Sequence, residues 1–277
     1  MKKNCLPVLL LLGLQFSGKA QDFSLYKKKV FKSDSGTLNY RILYPEKYDP
    51  SKKYPLIIFL HGSGERGDDN EKQLFHGGAF FIKDSIRRIF PSIVILPQCP
   101  ENISWSMVGF HYDSAKEQPD IVFDFRKNPT RPALLVKQLA DSFIRAGIAD
   151  PGAMFIGGLS LGGFGTFDFT MRYPEYFAAS FPICGGGDTS YLKKIAKKLN
   201  ASIWIFHGGA DPVVSVRYSR QAYQALLKYK PSNIEVKYTE YPGVGHNSWD
   251  NVFVEPGLME WLMSKQVIDI QSFKKEK

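Results

Sequence analysis

The chain has 277 residues, of which 44% are hydrophobic and 23% charged, which is the range of a globular protein that buries a large core and excludes a disordered chain. The formal net charge is +9. The basic residues are scattered or lie in the tail over 274–277, without the cluster of basic and aromatic side chains that nucleic-acid binding needs, so a nucleic-acid partner is not expected.

The first twenty residues are typical of a secretory signal peptide. Two lysines precede an apolar run over 6–14, and small residues stand before the expected cleavage site between Ala20 and Gln21. The run is too short to span a bilayer comfortably, which disfavours a retained membrane anchor. We expect export, to the periplasm or the cell exterior, and one folded domain over 21–277.

Two cysteines, Cys99 and Cys184, remain after the predicted cleavage. An oxidising compartment would pair them if the geometry allowed, although a chain of this size does not depend on a disulfide. The sequence leaves this question open.

An alternation of strand and helix patterns predicts the secondary structure. Residues 23–31 and 37–44 are separated by turn residues and predict an antiparallel hairpin. Apolar runs predict buried strands at 56–60, 93–96, 153–156, 178–181 and 203–206, and an alternating pattern predicts a last strand at 234–241. Amphipathic stretches predict helices at 71–88, 132–147, 161–173, 215–229 and 255–264. This order is typical of an α/β protein with a mostly parallel central sheet and helices on both faces.

The stretch over 98–130 does not follow this alternation. It is rich in Pro, Asp, Asn and aromatic residues and has no clear periodicity. A long irregular segment in a compact domain is usually functional or mobile. It leaves the carboxyl end of a predicted strand, where open α/β sheets bind ligands.

A nucleophile motif, GLSLGG, occupies 158–163 between a predicted strand and a predicted helix. A serine hydroxyl becomes a nucleophile when a sharp turn exposes it beside a base. Glycines around Ser160 permit that turn, and the strand before and helix after give the motif its weight.

The acid and the base are expected later in the chain, in the order Ser, Asp, His. His246 lies in a glycine-containing loop after the last predicted strand, and we prefer it to His207, which is expected to hold a turn. Asp211 follows the penultimate strand and would orient the imidazole. Asp188 and Asp250 are the competing carboxylates.

An oxyanion hole needs two backbone N–H groups that point at the developing negative charge. One is expected from Leu161, the residue after the nucleophile. The other is expected from Ser63 in the loop HGSGERG over 61–67. Trp105 and Trp249 flank the expected cleft and are candidates for a pocket wall, although aromatic residues more often pack in the core.

These motifs resemble the carboxylesterase-type α/β-hydrolases related to polyhydroxybutyrate depolymerases and to feruloyl and acetylxylan esterases, a group also labelled predicted peptidases. The resemblance also includes LPQCP at 96–100, YPE at 173–175, PICGG at 182–186, HGGAD at 207–211 and GHNSW at 245–249. It implies the α/β-hydrolase fold and a cofactor-free hydrolase. The spacing of His, Cys and Asp residues along the sequence predicts no metal site. Its substrate would be a small ester or an ester linked to a plant cell-wall polysaccharide. The stretch over 118–131 departs from the family pattern, which leaves the substrate open.

The sequence therefore predicts a secreted serine esterase with Ser160, His246 and Asp211 as its catalytic triad. The same triad would also serve a peptidase. A catalytically silent binding protein on the same fold is the third alternative, and the oligomeric state stays open.

Overall fold

The computed structural model describes residues 23–111, 114–115, 120–125 and 128–265. The predicted signal peptide over 1–20 lies outside the described residues. Within the described ranges, none of the helices combines the length and apolar character needed to cross a bilayer.

One eight-stranded sheet dominates the structure, with a separate two-stranded sheet beside it. The strands in the described residues are β1 Lys27–Ser33, β2 Gly36–Leu43, β3 Tyr54–Leu60, β4 Ile93–Pro97, β5 Val108–His111, β6 Asp120–Phe123, β7 Ala149–Leu159, β8 Ala179–Ile183, β9 Ser202–Gly208 and β10 Val236–Tyr241. Across the large sheet their order is β1-β2-β4-β3-β7-β8-β9-β10. β1 pairs with β2 and β2 with β4 in antiparallel fashion, and all other neighbours in this sheet are parallel. The predicted opening hairpin and the mostly parallel sheet are confirmed.

The helices in the described residues are α1 Gly78–Phe81, α2 Asp84–Ile89, α3 Arg131–Arg145, α4 Leu161–Arg172, α5 Thr189–Ile195, α6 Arg217–Tyr229, α7 Trp249–Val252 and α8 Leu258–Met263. α3 begins with a threonine cap, because the side chain of Thr130 accepts a hydrogen bond from the N–H of Ala133, and Pro132 occupies the first turn. The predicted helices at 132–147, 161–173 and 215–229 are confirmed within two residues at each end.

Both faces of the central strands are buried, as their continuous apolar runs predict. Along β3, Ile57 and Phe59 point into a core with α1, α7 and α8, whereas Ile58 and Leu60 point into a second core with α3 and part of α4. A third core joins α4, α5 and α6 to β9. The alternation places helices on both sides, which confirms the predicted α/β architecture.

The prediction of a single helix over 71–88 is wrong. The chain there forms a 3₁₀ turn at Lys72–Leu74 and then α1 and α2. Gly77 has a φ of 93°, a region that side-chain-bearing residues rarely adopt, and it interrupts the helix before α1. Lys83 is extended and separates α1 from α2.

Other elements also differ from the prediction. The stretch over 98–130 contains the antiparallel pair β5 and β6, α5 was not predicted, and the last helix begins at Leu258 rather than 255. Gly257 precedes that helix in a left-handed conformation and sets its start.

The turn between β7 and α4 is tightly packed against the end of β3. A Cβ added to Gly162 would lie 2.0 Å from the carbonyl oxygen of Leu60 and 2.8 Å from that of His61. Both obstacles are backbone atoms, so only glycine lets the two segments come this close.

We expect Gly162→Ala to lower the free energy of unfolding by about 2 kcal/mol because the backbone must shift to admit the methyl group. Urea unfolding measures this loss. Gly109→Ala is the matched control, because a Cβ added there would lie 3.9 Å from its nearest neighbour, the Cβ of Val122. Equal stability of the two variants would contradict this account of the turn.

Candidate active site

Ser160 lies on a strained turn between β7 and α4. Its φ is 52° and its ψ is −113°, a conformation that residues other than glycine rarely adopt. The turn is fixed because Ser160 donates its N–H to the carbonyl of Ile183 at 2.9 Å and accepts one from Phe164 at 3.0 Å. The strand, turn and helix predicted around the serine are present.

The structure brings the three predicted triad residues together. Nε2 of His246 lies 2.9 Å from Oγ of Ser160, and Nδ1 of the same ring lies 2.8 Å from Oδ2 of Asp211. Since a carboxylate only accepts, Nδ1 carries the hydrogen and Nε2 can accept the serine proton. Asp211 follows β9 and His246 follows β10, so both loops leave the same edge of the sheet as the serine turn.

Asp211 is 5% exposed. Its Oδ1 accepts the N–H groups of Val213 at 2.8 Å and Val214 at 2.9 Å. Burial opposes the charge on this carboxyl, but hydrogen bonds from His207, His246 and Val214 outweigh burial and hold its pKa well below the usual range. Asp211 therefore stays ionised wherever an imidazole titrates.

The competing residues have other partners. His207 is fully buried and contacts Ser219, Val214 and the carboxylate of Asp211. Asp188 caps α5 by accepting the N–H groups of Ser190 and Tyr191. Asp250 accepts a local bond from Asn247 at 3.2 Å.

Ser63 and Leu161, the two predicted oxyanion donors, each begin a helical element. Ser63 opens a 3₁₀ turn that ends at Glu65, and Leu161 opens α4. An N–H in the first turn of a helix has no acceptor within that helix and favours negative charge nearby. The tight contact between Gly162 and the end of β3 puts these two turns side by side.

A buried histidine holds the loop that contains Ser63. His61 donates from Nδ1 to the carbonyl of Gly62 at 2.6 Å, and its Nε2 accepts the N–H of Cys99 at 2.9 Å. Burial lowers the pKa of His61 from 6.5 to about 4, with a smaller opposite contribution from its bond to Gly62. The ring is therefore neutral at neutral pH, as its accepting Nε2 requires.

The prediction that Trp105 forms a pocket wall is wrong. Trp105 is 0% exposed. Its indole N–H donates to the carbonyl of His61 at 3.1 Å, and its own carbonyl accepts the hydroxyl of Thr130 at 3.0 Å. It supports the Ser63 loop from below because its ring packs edge-on against His61, with ring centres 5.2 Å apart.

Trp249 lies beside the triad. Its ring stands edge-on to that of His246, with 5.5 Å between centres, and the ring of His76 lies 5.0 Å away. The side chain is partly exposed, so it can meet a substrate next to the base.

Gln98, within the LPQCP motif, holds the loop that contains Ser63, a role that the motif alone does not indicate. Its side-chain amide donates to the carbonyl of Glu65 at 3.2 Å and to Asp69 at 3.0 Å, and its oxygen accepts the N–H of Asn70 at 2.6 Å. The motif thus fastens the Ser63 loop to the end of β4. A buried amide with three loop partners has no signature in a single sequence.

Both described cysteines, Cys99 and Cys184, are free and buried. Within the described residues, Cys184, Asp211 and His246 form a group whose possible metal-ligating atoms lie within 4.8 Å of one another. This group does not fit a metal. Both ring nitrogens of His246 are already bonded, and burial, assisted by the charge of Asp211, raises the pKa of the Cys184 thiol.

This geometry defines a serine hydrolase, and comparison with known proteins gives the family. Residues 47–255 match the phospholipase/carboxylesterase family, so the chain belongs to it. The chain is 26% identical over 215 residues to the acyl-protein thioesterase 1 of Debaryomyces hansenii, covering 69% of this chain and 84% of that protein. It is 26% identical over 217 residues to the enzyme of the same name from Neurospora crassa, covering 69% and 80%.

Solved structures support the fold. A thermostable esterase superposes with a TM-score of 0.75 at 34% identity over 88% of this chain, which spans 64% of that protein's length. A feruloyl esterase module from Clostridium thermocellum complexed with sinapinate gives a TM-score of 0.56 at 17% identity, covering 82% of this chain and 83% of that one. This likeness shows the fold alone. The predicted α/β-hydrolase fold and the predicted carboxylesterase-type serine hydrolase are confirmed.

The lowered pKa of His61 predicts a loss of stability in acid. The unfolded chain protonates this ring below pH 6.5 and the folded chain only near pH 4, so stability falls as the pH drops through this window. The contribution is about 3 kcal/mol at about 1.4 kcal/mol per pH unit. Urea unfolding at pH 7 and at pH 4 measures the free energy of unfolding of the wild type and of His61→Asn. Between these two pH values the wild type should lose about 3 kcal/mol more than the variant. An asparagine amide can still donate to Gly62 but does not titrate. Parallel losses in the two proteins would contradict the assignment.

Proposed function

We propose that the protein hydrolyses carboxylic esters through an acyl-enzyme on Ser160. The observation that carries this proposal is the continuous hydrogen-bonded chain from Ser160 through His246 to Asp211, at 2.9 and 2.8 Å. Such a chain activates the hydroxyl in the reactions of the carboxylesterase family.

The reaction runs in two halves. Oγ of Ser160 attacks the ester carbonyl while its proton moves to Nε2 of His246, and the negative oxygen is bound by the N–H groups of Ser63 and Leu161. The tetrahedral intermediate collapses, Nε2 returns the proton to the departing alcohol, and the acyl group stays on Ser160. Water then attacks the acyl group, again giving its proton to Nε2. The bond between Oγ and the acyl carbon then breaks, Nε2 returns the proton to Oγ of Ser160, and the carboxylic acid leaves.

Ser160→Ala should lower kcat on a p-nitrophenyl ester by about 10⁶-fold without unfolding the protein, because only the nucleophile is removed. It should also abolish labelling by a fluorophosphonate probe. Ser180→Ala is the matched control. Ser180 is a buried serine on β8, and its hydroxyl has no hydrogen-bond partner among the described residues. A wild-type rate in Ser160→Ala would reject the nucleophile. A folded wild type that never reacts with the probe would favour the silent binding protein.

The substrate we propose is a feruloyl or acetyl ester on a plant cell-wall polysaccharide, met after export and removal of residues 1–20. Trp249 supports an aromatic acyl group, since its partly exposed ring lies beside His246. The resemblance of the motifs to feruloyl and acetylxylan esterases supports the same class.

Thioester hydrolysis is the second candidate. It is favoured by the similarity of the chain to two acyl-protein thioesterases. The triad serves oxygen esters, thioesters and amides alike, so matched oxygen-ester, thioester and amide substrates with one acyl group must decide among them. A faster reaction of the amide would favour the peptidase.

Trp249→Ala should raise KM for methyl ferulate roughly fivefold, as expected for the loss of one aromatic contact. KM for an acetyl ester should change much less. Trp249→Phe keeps a ring at this position and should recover most of the affinity. Equal changes for the two esters would show that Trp249 does not bind the acyl group.

A further inference from the structure

His207 takes no part in the reaction as described, yet it touches the same carboxylate oxygen as His246. It is 0% exposed. Its Nε2 lies 2.9 Å from the carbonyl oxygen of Val214 and 3.2 Å from Oδ2 of Asp211. Both neighbours are acceptors, so Nε2 must carry a hydrogen. Oδ2 of Asp211 therefore faces an N–H from each of two histidines.

The other end of the His207 ring is also held. Nδ1 lies 2.7 Å from Oγ of Ser219, and the same Oγ lies 2.9 Å from the carbonyl oxygen of Gly185. These contacts at opposite ends of the imidazole fix its rotation. They keep Nε2, rather than a ring carbon, directed at Asp211.

We propose that His207 is a positioning residue that holds Asp211 and sets the proton affinity of His246. The N–H of His207, shared between the carbonyl of Val214 and Oδ2 of Asp211, draws negative charge away from the oxygen that faces the ring of His246. Loss of this N–H would leave more negative charge on Oδ2 beside His246.

The other ionisable groups around the pair keep a constant charge near neutral pH. Glu240 is paired with His207 in the β9–β10 register. Its pKa is lowered to about 2, mainly by hydrogen bonds from Arg220, and Tyr238 also donates to it. On the opposite side the raised pKa of Cys184 keeps the thiol neutral.

His76 also reaches this neighbourhood, because it contacts Trp249, which packs on His246. It is unchanged in every variant below, so its contribution cancels in the comparison.

Two substitutions separate the proposed role from simple packing. The amide nitrogen of glutamine reaches the position of Nε2, so His207→Gln keeps a donor to Asp211. The amide of asparagine reaches only the position of Nδ1, so His207→Asn keeps a partner for Ser219 but removes the donor at Nε2 that faces Oδ2 of Asp211. The titration of His246 is followed by ¹H–¹⁵N correlation spectra of imidazole-labelled protein, which needs no substrate.

We expect the titration midpoint of His246 to rise by about half a pH unit or more in His207→Asn. It should stay at the wild-type value in His207→Gln. Fluorophosphonate labelling of Ser160 on the acid side of the midpoint should slow about threefold in the asparagine variant. A midpoint that stays or falls in His207→Asn, or that rises equally in both variants, would overturn the proposal.

The wild type provides a test that does not depend on the folding of either variant. The spectra should show Nε2 of His207 bonded to hydrogen throughout pH 5–9. An Nε2 without hydrogen in the folded protein would overturn the proposal. Because these readouts use the free protein, they stay informative even if the ester substrate proposed above is wrong.

Discussion

The site depends on keeping one negative charge, that of Asp211, inside the protein. A buried carboxylate is costly unless donors surround it, and here the donors are two backbone N–H groups and two histidines. The loops are built around this need. The N–H of Ala210 bonds to the carbonyl of Val244 at 2.9 Å, and a Cβ on Gly208 would lie 2.1 Å from the carbonyl oxygen of Gly245. The loop of the acid and the loop of the base are therefore one packed unit, and neither side chain can move independently.

A second unit holds the oxyanion donors. His61 and Gln98 connect the Ser63 loop to the end of β4, and Trp105 fills the space below. The polar side-chain groups of these three residues form hydrogen bonds with backbone groups of the loops. Without these bonds, the backbone groups would be buried without partners. The two units meet at the serine turn, where the strained backbone of Ser160 is held by Ile183 of β8 and by the first turn of α4. The strain is retained because the surrounding segments leave the turn no alternative.

The sequence predicted what local pattern controls. Apolar runs identified the strands of the large sheet, and the glycines around Ser160 identified the turn, because each signal lies within a few residues. The choices of His246 and Asp211 agree with the geometry because parallel strands bring their carboxyl ends to one edge. Trp105 was misread because its burial depends on contacts with His61 and Thr130, which are distant in sequence. His207 was placed at a turn, but its contact with Asp211 depends on the curvature of the loop after β9. The hairpin of β5 and β6 was missed since its strands are short and lack an alternating pattern.

That hairpin packs on the elements that carry two of the three triad residues. Phe123 of β6 packs against Phe164, on the first turn of α4, and against Tyr218 of α6. The hydroxyl of Tyr218 accepts the N–H of Ile121 at 2.5 Å, and α6 itself follows the loop that contains Asp211. The hairpin is thus attached to the elements that hold the nucleophile and the acid, yet it contributes none of the reacting groups. The reacting groups themselves stand on the turns and loops that follow β7, β9 and β10 at the sheet edge.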